Sequence, residues 1–380
     1  MSIRKRKWTT KSGEGREAWI VDYVDQHGDR HTQTFSTRRA AAMWATQAEH
    51  EVAAGTHSPL TGSATVAEAF LMWIENCVDE GLEHGTIRQR RQHLKHHVAP
   101  FIGAVTLAEL TLPRVNHFVT QLRVAGRSLA MRRKVLTNLK TAISYAQGLG
   151  LVAQNVARAA KAVGGEREHT RGPLRAGVDF PSKAELGALL EHATERQRPF
   201  VFLLIYTGMR ISELRGLRWR DIDLEAGLVH VRQRVDAWCR MGPPKSRAGA
   251  RDIPLAPSVV NALKRWRLAC PLGALDLVFS NRVGRPFTLQ NLRERLLLPL
   301  QVKAGVVDRD GRGKYGFHAF RHAAASLFIE NLHWPPKRVQ AIMGHANISM
   351  TFDLYGHLFE DPEADRSAMA RLELALALHK

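Results

Sequence analysis

Cysteine is scarce in this sequence. Its 380 residues include three, Cys77, Cys239 and Cys270, odd in number and far apart, so they form neither a disulfide framework nor a zinc site. No apolar run approaches the ~18 residues of a membrane span. The basic opening Met1-Ser2-Ile3-Arg4-Lys5-Arg6-Lys7 is followed by no apolar core, so it does not read as a secretory signal. Neither an internal repeat nor a low-complexity tract is present. Acidic residues are also short: 36 Asp and Glu stand against 55 Lys and Arg, a net charge of +19. An excess of that size speaks about partners rather than fold. These absences exclude a stapled secreted protein, a membrane protein and a zinc finger. They point to a protein of the reducing cytoplasm that meets nucleic acid.

What is there divides into three parts. Residues 1–60 read as a small α+β module. Ala18 to Asp25 and His31 to Phe35 have strand composition around a turn, and Thr37 caps a helix through Ala54. Residues 56–62 read as a linker. Residues 63–160 have apolar residues at helical spacing (Val66, Ala69, Phe70, Trp73, Ile74) and form a four-helix bundle. Its basic residues cluster at Arg88, Arg90, Arg91 and Lys95 and at Arg132, Arg133 and Lys134, which reads as phosphate contact. After a Gly- and Arg-rich connection, residues 175–380 form a mixed α/β, mostly helical domain. Ser182 and Glu185 make a capping box there, and Leu228 to Arg234 and Arg251 to Leu255 read as strands. The fold class is therefore multidomain and mainly α. Trp8, Trp19 and Trp44 read as core.

The third part carries the chemistry. In Thr207-Gly208-Met209-Arg210-Ile211-Ser212-Glu213-Leu214 a glycine separates two helices, and Glu213 lies on the same face as Arg210. Apolar flanks make Arg210 half-buried, facing a carboxylate or phosphate. His318 and Arg321 share a helix face in Phe317-His318-Ala319-Phe320-Arg321-His322. Met343-Gly344-His345 follows, and Tyr355, one of five tyrosines, stands ten residues beyond His345.

Together, T-G-M-R-I-S-E-L, H-A-F-R-H, M-G-H and T-F-D-L-Y-G-H resemble the tyrosine recombinases of the phage-integrase family. The order Arg…His-x-x-Arg…His…Tyr and the ten-residue step carry the resemblance. Met343 stands where that family usually has Leu. The resemblance implies a DNA strand-exchange enzyme with Tyr355 as nucleophile, leaving a 3′-phosphotyrosyl bond and a free 5′-hydroxyl. Arg210 and Arg321 would clamp the non-bridging oxygens, His345 would donate a hydrogen bond, and His318 would take up the tyrosine proton. Lys245, in P-P-K-S-R-A-G-A-R-D-I-P-L, matches the family's hairpin lysine and would protonate the leaving 5′-oxygen. Glu213 would orient Arg210, and His322 and His357 remain outside the set.

The resemblance further implies that residues 1–60 bind arm-type sites and residues 63–160 bind core sites. The partners are double-stranded DNA, a homotetramer on that DNA, and accessory DNA-bending and directionality proteins, with no membrane, metal or cofactor. The reaction would integrate or excise a phage or mobile element. A catalytically silent DNA-binding relative and a type IB topoisomerase are the alternatives. The tail from Ser367 to Leu378 either packs on its own domain or, as in the family, docks on a neighbouring subunit.

Overall fold

The structure is a computed structural model that describes residues 1–10, 14–26, 28–55, 57, 63–164, 173–271, 273–359 and 362–377. It divides into two compact units, Met1–Arg171 and Gly172–Lys380. Among the described residues no helix is long and apolar enough to cross a membrane.

The first unit opens with an antiparallel meander of β1 (Ser2–Thr9), β2 (Gly15–Val24) and β3 (Arg30–Phe35), in that spatial order. Helix α1 (Arg38–Ala53) starts where the Thr37 hydroxyl accepts the Ala40 N–H. It lays Ala41 and Ala45 on Val21, flanked by Trp19, Phe35 and Trp44. Strand β1 was not anticipated, because its basic run looked like a leader without a core. It is exposed along its length and forms one edge of the sheet, where charge discourages pairing with foreign strands. Trp8, read as core, is exposed on it. His57, assigned to a linker, is buried with its ring nitrogens 2.9 Å from the Tyr23 hydroxyl and 3.1 Å from Glu51. The rest of that linker lies outside the described residues.

The same unit contains α2 (Val66–Asp79), α3 (His84–His93), α4 (Leu112–Val124) and α5 (Leu129–Gly148), with a π-helical turn at Leu94–Val98 after α3. Thr65 and Glu68 close a capping box on α2, and Thr111 and Ser128 cap α4 and α5. Phe70, Phe118 and Leu139 are fully buried, each worth about 1.5–3 kcal/mol of burial. Of the predicted phosphate contacts, Arg88, Arg91 and Lys95 line one surface groove, and Arg133 and Lys134 are exposed. Arg90 is partly covered, stacked 4.2 Å over Trp73. Arg132 is a correction. It is 1% exposed, and its guanidinium donates to the Val163 and Arg127 carbonyls. At 1% exposure inside the bundle, with Nε and Nη1 on backbone carbonyls, Arg132 is a packing element rather than a surface phosphate contact.

In the second unit, α6 (Lys183–His192) begins at the Ser182–Glu185 capping box. Helix α7 (Arg198–Tyr206) is apolar throughout its middle and packs on α12 (Phe317–Glu330), where Ala323, Ala324 and Ala325 are buried and permit close approach. A short helix α8 (Ile211–Arg215) follows α7. Strands β4 (Ile222–Asp223), β5 (Leu228–Val231) and β8 (Arg251–Pro254) form an antiparallel sheet, and β6 (Arg234–Val235) pairs with β7 (Met241–Gly242) as a separate hairpin. The single strand expected from Leu228 to Arg234 is thus broken. The Gln233 amide turns to donate to the Gly216 carbonyl at 2.6 Å, and a Cβ on Gly216 would sit 3.0 Å from the Arg234 backbone. Helices α9 (Pro257–Ala269), α10 (Leu289–Leu292), α11 (Leu298–Lys303), α13 (Pro336–Met343), α14 (Ser349–Tyr355) and α15 (Pro362–Ala377) complete the unit. On α15, Met369, Leu372, Leu374 and Leu376 are exposed; Leu378 lies outside the described residues.

Candidate active site

The site is built around the end of α13. A helix leaves its last carbonyls without intrahelical partners. Here three consecutive carbonyls each receive an arginine from a different part of the fold. Arg251 Nε donates to Ile342 O at 2.5 Å, Arg321 Nη2 to Met343 O, and Arg210 Nη2 to Gly344 O at 2.8 Å. The negative end of the helix dipole favours these cations. The helix stops there because Gly344 is left-handed (φ 65°), a conformation that disfavours side chains. A Cβ at that position would also lie 2.9 Å from Arg251 Nη1 and 3.0 Å from Ala248 O.

Glu213 binds two of the arginines. It is 2% exposed, accepts Arg210 Nη1 at 2.8 Å and takes both terminal nitrogens of Arg251 at 3.2 and 2.9 Å. Its Oε2 also accepts the Arg210 backbone N–H. Burial acts to raise its pKa, but Arg251 and Arg210 outweigh that and hold it below the usual carboxylate range. The predicted orienting role of Glu213 toward Arg210 has this geometry; the Arg251 arm, 38 residues away, was not foreseen.

Arg321, 3% exposed on α12, spends Nη1 on the Gly208 carbonyl at 2.6 Å as well as Nη2 on Met343. Gly208 is left-handed (φ 59°), with Met343 and Ala324 close against the position a Cβ would take. Burial, then the nearby Arg210 and Arg251 cations, push the Arg321 pKa down to about 9, so it stays charged at neutral pH.

Tyr355 ends α14 and is 1% exposed. Its hydroxyl lies 2.6 Å from His322 Nδ1. Burial raises the phenol pKa, against the lowering effect of Arg321, so the hydroxyl is protonated at neutral pH. His318 does not make this contact; its ring stands edge-on to His322 with centroids 4.6 Å apart. The signal for His322 was available, since His318 and His322 are four apart on one helix face. Although His318 keeps accessible surface, the protein around it displaces water, and with Arg321 and Arg210 this lowers its pKa.

His345, 5% exposed, places Nδ1 2.9 Å from the Thr351 hydroxyl. Burial, followed by Arg321, Arg210 and Arg251, lowers its pKa to about 4. The ring is therefore neutral at pH 7. Unfolding restores a pKa near 6.5, so between about pH 4 and 6.5 the unfolded chain binds the extra proton. Stability from this residue is present above pH 6.5 and falls by at most about 1.4 kcal/mol per unit as pH drops through that window. Urea unfolding at pH 7 and pH 5 is expected to show a loss that His345→Gln diminishes. An unchanged pH dependence in the variant would assign the loss to other groups, His318 first.

Lys245 stands apart from this cluster of contacts. It is exposed in the bend after β7, and its ammonium has no partner among the described residues. His357 is half-buried just beyond Tyr355. The site thus brings Arg210, Glu213, His318, Arg321, His345 and Tyr355 together, adds Arg251 and His322, and leaves Lys245 on a neighbouring hairpin. No group of three or more metal-ligating side chains occurs among the described residues.

Residues 181–361 match the family described as the phage integrase family. The chain is 26% identical over 211 residues to prophage integrase IntR of Escherichia coli K12, covering 51% of each chain. It is 31% identical over 187 residues to tyrosine recombinase XerC of Xylella fastidiosa, covering 48% of this chain and 52% of that one. The transposase of transposon Tn916 from Enterococcus faecalis is 30% identical over 185 residues, 46% of this chain and 44% of the relative. The chain therefore spans about half the length of these curated relatives. Among solved structures, the Tn1549 transposon integrase in complex with a circular intermediate DNA superimposes with a TM-score of 0.67 at 21% identity, over 82% of this chain and 100% of that one. A lambda integrase tetramer bound to a Holliday junction gives 0.55 at 19% identity, over 90% and 96%. At these identities the likeness is one of fold.

Proposed function

Because residues 181–361 match the phage integrase family, we propose that this chain is a site-specific DNA recombinase that integrates or excises a mobile element. The single observation that carries this reading is the convergence of Arg210, Arg251 and Arg321 on three successive carbonyls beside the buried Tyr355. Strand exchange without an external energy source requires that the phosphodiester's energy be kept in a covalent link, and a phenolic oxygen can form one. The Tyr355 oxygen attacks phosphorus as its proton passes to His322, and the 5′-oxygen departs with a proton from Lys245. Negative charge gathers on the non-bridging oxygens, where preorganised cationic donors contribute most. Arg210 and Arg321 present fixed forks there. With the Thr351 hydroxyl donating to Nδ1, neutral His345 offers its Nε2–H to the same oxygens. Glu213 and Arg251 hold Arg210 in place.

Residues 63–160 then grip core DNA through Arg88, Arg91, Lys95, Arg133 and Lys134, residues 1–60 bind arm-type sites, and residues 175–380 cut and rejoin. The Tn1549 transposon integrase is bound to a circular intermediate DNA and the lambda integrase is a tetramer on a Holliday junction; DNA and a tetramer of this chain are the corresponding partners, with the exposed apolar residues of α15 contacting a neighbouring subunit. Accessory bending and directionality proteins and a cytoplasmic setting complete the reading.

The test uses the full chain and plasmids carrying the DNA that flanks its gene. Recombination between two such sites, with no effect on plasmids lacking them, is the expected result. Relaxation of any supercoiled plasmid without recombination would instead favour a type IB topoisomerase activity. Binding with neither outcome would leave a silent DNA-binding relative.

A further inference from the structure

Arg215 is the last residue of α8, the five-residue helix that also carries Glu213. It is buried, yet among the described residues no carboxylate forms an ion pair with it. Nε donates to the Phe287 carbonyl at 2.7 Å, Nη1 to the Asp236 carbonyl at 3.0 Å, and Nη2 to the Cys239 sulfur at 3.2 Å. Asp236 and Cys239 lie in the turn between β6 and β7. That turn is tightly formed: the Asp236 carboxylate accepts the Trp238 and Arg240 N–H groups at 2.8 and 2.9 Å, and Cys239 adopts a left-handed backbone (φ 62°). Such a conformation costs a residue with a Cβ about 1 kcal/mol or more and persists only where surrounding contacts impose it.

After β7 the chain runs through Pro243 and Pro244 to Lys245. Gly249 then closes on Pro244 so tightly that a Cβ would lie 2.6 Å from the proline Cβ. The Gly249 carbonyl accepts Arg251 Nη1 at 2.9 Å, and Arg251 is held by Glu213. The Lys245 segment is thus anchored on both sides by buried arginines that meet the same short helix. Burial lowers the Arg215 pKa, with Cys239 and the Asp236 carboxylate only partly offsetting it, and a buried cation with no direct ion pair is an expensive packing element, often bettered by an apolar side chain. Arg215's three-point grip, on the Asp236 carbonyl and Cys239 sulfur of the hairpin turn and on the Phe287 carbonyl just before α10, explains its presence better than stability does.

We propose that Arg215 is a positioning residue for Lys245, fixing the hairpin so that the ammonium reaches the departing 5′-oxygen. This rests on the reading of Lys245 as the proton donor. The test compares full-length variants on duplex DNA with an ordinary scissile phosphate and on the same duplex with sulfur in the bridging 5′ position. The sulfur leaves as a thiolate and needs little protonation. Lys245→Ala is expected to slow cleavage of ordinary DNA by about 10²–10⁴-fold, the usual worth of a general acid, and to cleave the sulfur substrate near the wild-type rate. Arg215→Gln is expected to lose about 10²-fold on ordinary DNA, the scale of a 1 Å misplacement, and to recover to within a few-fold of wild type on sulfur. Asp236→Ala, which loosens the turn without opening the core, should follow the same pattern more weakly and decides the matter if Arg215→Gln does not fold.

Equal losses on both substrates, or no loss on ordinary DNA, for variants that fold would overturn the proposal while Lys245→Ala behaves as described. If Lys245→Ala itself stays crippled on sulfur, the proton-donor reading fails and the proposal with it. Absence of cleavage by the wild type on either duplex would count against the recombinase reading as well.

Discussion

Tyr355→Phe is expected to bind DNA as the wild type does and to form no SDS-resistant protein–DNA adduct. In the proposed reaction the phenolic oxygen is the atom that becomes the link, so its removal eliminates the product rather than slowing it. The fold should tolerate the change. The ring remains to fill its buried place, and the loss is one hydrogen bond to His322, worth about 1 kcal/mol. A denaturing gel after incubation with nicked duplex measures the adduct, and gel shift measures binding. An adduct that survived would assign the nucleophile elsewhere. Tyr315 is the obvious rival in the sequence, but its hydroxyl donates to Glu185 at 3.1 Å, a carboxylate that would repel a phosphate, whereas Tyr355 lies in the field of Arg321.

Arg321→Ala is expected to reduce single-turnover cleavage by about 10³-fold or more, in the range of lost transition-state donors and arginine fingers. Two effects combine. The phosphate loses a fixed cation, and the Gly208 and Met343 carbonyls lose their donor inside the protein. The second effect lowers stability by about 1–3 kcal/mol, read in urea unfolding. DNA affinity, followed by fluorescence anisotropy, should fall much less, because the guanidinium favours the transition state over the ground state. Arg321→Lys restores charge but not the planar fork that spans two carbonyls, so it should recover only a part of the rate. Equal losses in affinity and rate would make Arg321 an ordinary phosphate anchor.

The local features were the readable ones. The capping box at Ser182 lies within four residues, and its helix starts where the sequence places it; the Thr65–Glu68 box is equally local but was not read. Arg210 with Glu213 and His318 with Arg321 share helix faces by simple spacing. What the sequence concealed required tertiary structure. Arg251 meets Glu213 across 38 residues, and nothing in either segment announces the pair. Arg132 sits in a run of basic residues that looks solvated, yet its neighbours Arg133 and Lys134 face outward while it turns in to carbonyls. His322 carried a visible signal, the four-residue step from His318, but a second histidine on a helix reads equally well as packing. Strand β1 was hidden by composition, since four basic residues in succession mask an extended edge.

The arginines around the end of α13 leave the protein in a state of electrostatic frustration. Arg210 and Arg251 share one carboxylate, Glu213, which reaches Arg321 only through its field, and all three arginines lean on neutral carbonyls. Two positive charges therefore remain uncompensated among these four side chains, and the surplus adds to burial in depressing both His318 and His345. A native state of this kind gives up cohesion at one locus in return for a standing field. A phosphodiester entering it supplies the missing anion. On the proposed function, substrate would act as a structural component, and the folded protein is expected to be more cohesive when DNA occupies the site than when it is free, by the linkage that couples any native-state ligand to folding.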